Sequence, residues 1–227
     1  MELNADFTQR AVVHAARLDW VPSPVPGVDR RMLDRIGDEV ARATTIVRFA
    51  PASAFSPHTH GGGEEFLVLD GVFTDESGDY PAGSYVRNPP TSRHTPSSAP
   101  GCTLFVKLWQ FDPRDRTQLR VDTTCGAYMS DPARPGVEIL PLHADPREIV
   151  QMERWAPGAR VALEAAGGLE LLVVEGGLAE GEDEFGPHSW LRLPAAAASE
   201  AVAGPDGAIV WTKRGHLAGG ISAPRAA

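Results

Sequence analysis

A chain of 227 residues, 42% hydrophobic and 22% charged, has the makeup of a folded globular protein, with room for one large domain or two small ones. Its 23 Gly and 20 Pro interrupt long helices, which excludes coiled coils and helix bundles. The formal net charge of −9 argues against nucleic acid and against an anionic membrane surface as partners.

The N-terminal MELNADFTQR lacks the basic-then-apolar pattern of a signal peptide. No apolar run reaches the ~18 residues of a membrane span, so a cytoplasmic location is expected. Asp29–Glu39 predicts a helix. After it the pattern turns to strands: Thr44–Phe49, Glu65–Leu69, Ser84–Arg87 and Thr103–Trp109, rich in β-branched, aromatic and aliphatic residues. Ala50-Pro51, Asp70-Gly71, Ser77-Gly78-Asp79, Pro81-Ala82-Gly83 and Pro100-Gly101 supply the turns between them. Such short, closely spaced strands predict an all-β antiparallel sandwich or barrel. Cys102 and Cys125 make no C-x-x-C pair and read as reduced thiols.

The second half echoes the first. Arg48-Phe49-Ala50-Pro51 returns as Arg154-Trp155-Ala156-Pro157, 106 residues later. At the same step Gly61-Gly62 falls on Gly167-Gly168, Glu64 on Glu170 and Gly71 on Gly177. Ser84-Tyr85-Val86-Arg87-Asn88-Pro89 matches Ser189-Trp190-Leu191-Arg192-Leu193-Pro194 after one deletion. A register held this long predicts a duplicated module, with domains at residues 1–125 and 126–227.

The chemistry concentrates in the first copy. His58 and His60 are spaced i, i+2, so on a strand both project from one face. Glu64 follows across the Gly61-Gly62-Gly63 bend, and His94 comes thirty residues later. Neutral imidazoles with one carboxylate suit a borderline divalent ion such as iron, manganese, zinc, nickel or cobalt. Phe66, Tyr85 and Arg87 lie on strands near these residues and are candidates for a substrate-binding wall. Glu65 should point to the opposite strand face, so no catalytic acid is assigned. In the second copy His58 maps to Glu164, His60 to Ala166, Glu64 to Glu170 and His94 to Ser199, which leaves a poor metal site and a structural role.

His58-Thr59-His60-Gly61-Gly62-Gly63-Glu64, then six residues to Gly71, resembles the first cupin motif, H-x-H-x(3,4)-E-x(6)-G. Gly83, five residues, Pro89, then Thr91 and His94 resemble the second, with Thr91 where glycine and Ser98 where asparagine are usual. The stretch from His58 to Pro90 is similar to the cupin domain of ChrR-type anti-sigma factors and their free-standing relatives. That resemblance implies a jelly roll, or double-stranded β-helix, present as two tandem cupin repeats. It implies one divalent transition metal (Fe, Zn, Mn or Ni) held by His58, His60, Glu64 and His94. It suggests a non-haem, dioxygenase-like oxidoreductase acting on a small oxygenated organic substrate. A ChrR-like sensory or regulatory module, or a small-ligand-binding cupin without turnover, are the alternatives. A sigma factor is disfavoured as partner, because the first 40 residues hold one His and no Cys where ChrR-type proteins carry a zinc domain. The family leaves both a monomer and a homodimer open.

Overall fold

The computed structural model describes residues 1–38, 40–219, 221, 223 and 224. By packing, the chain divides into two units, one holding Met1–Ala5 and Leu18–Cys125, the other Asp6–Arg17 and Gly126–Ile221. A first domain running unbroken from residue 1 to 125 therefore needs correction. Ala11–His14 pairs antiparallel with Ser189–Leu193 inside the second unit.

In the first unit the main sheet is ordered Glu2–Leu3, Val28–Gly37, Ala41–Phe49, Cys102–Leu108, Glu64–Asp75, Ser84–Asn88, Leu119–Asp122. Every pairing in it is antiparallel. Alternation sets the inner face: Glu64, Phe66 and Val68 lie opposite Leu108, Val106 and Leu104 across the ladder. The apolar core beneath is built from Val28, Phe49, Phe66, Phe73, Val86 and Leu104 among others. At Gly71 the Glu64–Asp75 strand turns a corner, and its far half pairs with Gly78–Pro81. Gly71 has φ +74, and a Cβ there would meet the Gly101 carbonyl oxygen at 2.1 Å, so only glycine lets the two backbones pass.

The helix expected over Asp29–Glu39 is absent; Val28–Gly37 is a strand in a hairpin with Ala41–Phe49, and Glu39 lies outside the described residues. A register shift between Met32 and Asp34 moves the apolar face by one residue. Leu33 then becomes buried out of phase with Val28, which makes a bulged strand read like a helical period. Among the described residues the one helical element is the 3-10 turn Ala15–Arg17, and no helix is long and apolar enough to cross a membrane.

The second unit repeats the strand order: Met129–Ser130, Val137–Ala144, Ile149–Trp155, Ala197–Arg214, Leu169–Glu180, Ser189–Leu193, Ala11–His14. Its interior is mainly aliphatic, with Val161, Leu163, Leu169, Leu171, Val173 and Leu191 all fully buried and Trp155 and Phe185 packed among them. The ladders also correct the match made by sequence. Lys107 faces Glu65 in the first unit, and Lys213 faces Glu170 in the second. Glu170 is thus the counterpart of Glu65, while Leu169 holds the place of Glu64. One residue is missing between the two copies before this strand, and a one-residue slip exchanges the faces of a strand. Glu164, which the sequence match sets against His58, is exposed on the outer face of Arg160–Ala165.

Candidate metal centre

His58-Thr59 pairs antiparallel with Arg93-His94, so His58 and His94 stand directly opposite one another. His60 follows on the His58 face. Its carbonyl accepts from Thr91 N–H (2.9 Å) and its N–H donates to the Ser92 carbonyl (2.9 Å), which ties the two segments together. The three-glycine bend is short because it passes beneath an indole: a Cβ on Gly62 would lie 2.2 Å from Trp109. Trp109 itself sits at φ +58, just past the end of its strand. The bend delivers Glu64 as the first residue of the next strand, inner face inward.

The ring centroids of His58, His60 and His94 form a triangle with sides of 4.8, 4.8 and 5.1 Å. The Nε2 atoms of His60 and His94 are 3.0 Å apart. Glu64 Oε2 lies 3.3 Å from the first and 3.6 Å from the second. Donors about 2.1 Å from one ion are separated by about 3.0 Å at an octahedral edge and about 3.4 Å at a tetrahedral one. Two of the three separations fall in that range and the third, 3.6 Å, lies about 0.2 Å beyond it, so the donor set fits a single ion after a small side-chain adjustment.

Protonation agrees with ligation. Burial, and then the charge of His58, lowers His60 to about 4. Burial also lowers His94, although Glu64 opposes it. Both imidazoles are therefore neutral at pH 7, with lone pairs to give. Burial raises Glu64, against the pull of His94 and the amide of Asn88, which donates to it at 3.3 Å. The outer nitrogens fix the tautomers. His58 Nδ1–H donates to the Ser56 carbonyl at 3.0 Å, and His94 Nδ1–H to Asp75 Oδ2 at 3.3 Å. Each leaves Nε2 unprotonated toward the cluster, and a carbonyl behind one imidazole and a carboxylate behind the other are the supports usual for metal-ligating histidines. Asp75 is held by the Ser77 N–H (2.7 Å) and the Tyr80 hydroxyl (3.1 Å), both on Oδ1.

The cluster closes one end of a cavity of about 370 Å³. Its walls are mainly apolar, with Phe49, Phe55, Phe73, Leu104 and Trp109 among them. His58 and His94 also border an outer recess of about 560 Å³ with Glu76 and Arg93.

The substrate wall expected from sequence is not the one found. Tyr85 and Arg87 face Leu67 and Glu65 across the ladder, on the face opposite Glu64. There the Tyr85 hydroxyl donates to Glu65 at 2.7 Å, and Arg87 pairs with Asp115 and stacks 4.0 Å over Phe111. Phe66 faces inward but is spent in the core, 4.8 Å from Phe73. Asn88, Asp75 and Trp109, which do reach the site, were missed. Asn88 follows from strand parity once its register against Glu64 is known; Asp75 lies past the Gly71 corner, where sequence spacing gives no distance.

An all-β barrel with three imidazoles and a carboxylate converging at one end of its interior defines the class: this is a cupin fold. More particularly, residues 8–112 match the family model described as the ChrR Cupin-like domain. Comparison by sequence with curated proteins finds no match. Among solved structures, a proposed dioxygenase from Nostoc punctiforme is similar with a TM-score of 0.78 at 13% identity, over 97% of this chain and 87% of that one. The Escherichia coli pirin YhhW, solved with nickel(II), gives 0.65 at 15% identity over 91% and 99%. The Lactobacillus farciminis oxalate decarboxylase formate complex gives 0.62 at 9% identity over 90% and 86%. At these identities the likeness is one of fold.

Proposed function

We propose that the first unit is a mononuclear metal cupin that oxidises a small oxygenated organic molecule with dioxygen, in a bicupin whose second unit is structural. The observation that carries this reading is the convergence of neutral His60 and His94 with Glu64, their donor atoms 3.0–3.6 Å apart. His58, His60, Glu64 and His94 would hold the ion. Bound there, a divalent ion would supply Lewis-acid and redox chemistry for an oxygenated substrate. The chain's own residues do the rest. Asp75 and Ser56 hold two imidazoles in the ligating tautomer, and Asn88 orients Glu64. The phenyl and indole walls give the bound molecule apolar surface to pack against. A sensory reading has one observation in its favour, the ChrR-like match over residues 8–112.

The test is anaerobic reconstitution with Fe(II), followed by oxygen uptake over a panel of β-diketones and hydroxylated aryl ketones. Substrate-dependent uptake that disappears in His60→Ala supports the enzyme. Ligand-dependent thermal stabilisation with no oxygen consumed, with Fe(II), Mn(II) or Ni(II) supplied, favours the sensory module.

A further inference from the structure

We infer that the molecule accepted by this cavity is a carboxylate with an apolar body, and that Arg30 is the residue that selects it. The inference deepens the proposed function by naming the substrate class of the same site.

Arg30 lies on Val28–Gly37, paired with Val47 on the neighbouring strand. Val28 and Arg30 are two apart, before the register shift, and so share the inner face; both line the cavity. Arg30 is the one Lys or Arg among the described lining residues. Its neighbours are all engaged: Arg31 stacks over Trp20 at 4.1 Å, Arg35 donates to the Gly37 carbonyl at 3.2 Å, and Arg48 pairs with Asp29 at 2.7 Å. Arg30 has no such relation. No described carboxylate pairs with it, and its buried Nε has no hydrogen-bond partner.

Arg30 is half-buried, and its Nε is shut off from solvent without a hydrogen-bond partner or a counter-charge in return. Its fork of N–H donors fits a carboxylate through two parallel hydrogen bonds, which a neutral carbonyl or alcohol cannot match. Around it the wall offers Val28, Val47, Phe49, Leu104 and Leu108, so the body of the ligand must be apolar. The cavity of about 370 Å³ has room for about a dozen water-sized groups at roughly 30 Å³ each, the size of a short aryl or alkyl acid. Sequence reasoning passed over Arg30 because it fell within the expected helix.

The experiment measures binding to the full chain by calorimetry, using 3-phenylpropionate and its neutral isostere 3-phenylpropionamide. Wild type, Arg30→Gln and Arg30→Lys are each tested metal-free and zinc-loaded. The expected result is at least a tenfold preference of wild type for the carboxylate, lost in Arg30→Gln and partly kept in Arg30→Lys. A preference equally present in Arg30→Gln, or absent from wild type, overturns the inference. Protection provides an independent reading that needs no variant: the carboxylate, and not the amide, should shield Arg30 from phenylglyoxal, read by peptide mass. Equal labelling with both probes also overturns it. The two readings fail separately. An Arg30-dependent preference in protein that binds no metal removes the oxygenase and leaves this inference standing. Metal-dependent oxygen uptake with only neutral substrates, indifferent to Arg30, does the reverse.

Discussion

Replacing Asp75 by Asn changes one atom and should nevertheless weaken metal binding. Oδ1 of Asp75 accepts from the Ser77 N–H at 2.7 Å and the Tyr80 hydroxyl at 3.1 Å. In Asp75→Asn those two donors hold the amide oxygen in the same place, and the NH2 must take the Oδ2 position facing His94 Nδ1, a separation of 3.3 Å. His94 then has to accept at Nδ1, which moves its proton to Nε2, the atom 3.0 Å from His60 Nε2. To ligate, the ring must return to the other tautomer and turn N–H against N–H at a position 6% exposed. An unsatisfied buried donor costs about 1–3 kcal/mol, a loss of roughly 10–100-fold in affinity, in line with second-sphere substitutions at metal sites. Competition against a chromophoric chelator measures this directly, with circular dichroism confirming the fold. An affinity within twofold of wild type would refute the assignment of Asp75 as the residue positioning His94.

Two further outcomes follow from the same geometry. His60 is held near pH 4 in the fold, against an ordinary imidazole value near 6.5, so between those values the unfolded chain takes up a proton that the native state does not. Metal-free protein should therefore lose stability as pH falls through that window, at up to ~1.4 kcal/mol per pH unit. Glu64, raised by burial, works in the opposite sense. The clean measurement is Tm against pH in metal-free Glu64→Gln, and a flat or rising Tm on acidification contradicts it. Gly62→Ala places a Cβ 2.2 Å from Trp109 and must push the indole from the cavity wall. A loss of about 1–3 kcal/mol, seen as a Tm lower by several degrees, is expected, and an unchanged Tm would show that the bend is not packed as described.

Of the candidate ligands, His58, His60 and Glu64 were legible from strand parity and a single tight bend, and His94 only from the likeness to the second cupin motif. His58 and His60 share a face, and three glycines under Trp109 bring Glu64 back to them. The Gly71 corner was legible as the motif's last residue. What could not be read was register. Whether Tyr85 or Val86 faces the cavity depends on which residue of Glu64–Asp75 it meets, and that pairing is set by the whole ladder. The same ambiguity placed Glu170 opposite the wrong glutamate, because one residue separates the two copies. The bulge between Met32 and Asp34 hid a strand, and with it Arg30. Asp75 comes from beyond the corner, where distance along the chain no longer measures distance in space.

The most direct test of the central claim is a count of metal. Protein reconstituted anaerobically with Fe(II), or aerobically with Zn(II), and then desalted should carry about one equivalent per chain by elemental analysis. Glu170→Gln should keep that equivalent, although it alters the acceptor for His216 Nε2 at 2.8 Å in the second unit. His60→Ala and His94→Ala should lose most of it, since each removes a donor from the cluster. Wild-type protein that retains no metal, or His94→Ala that retains a full equivalent, would contradict the account.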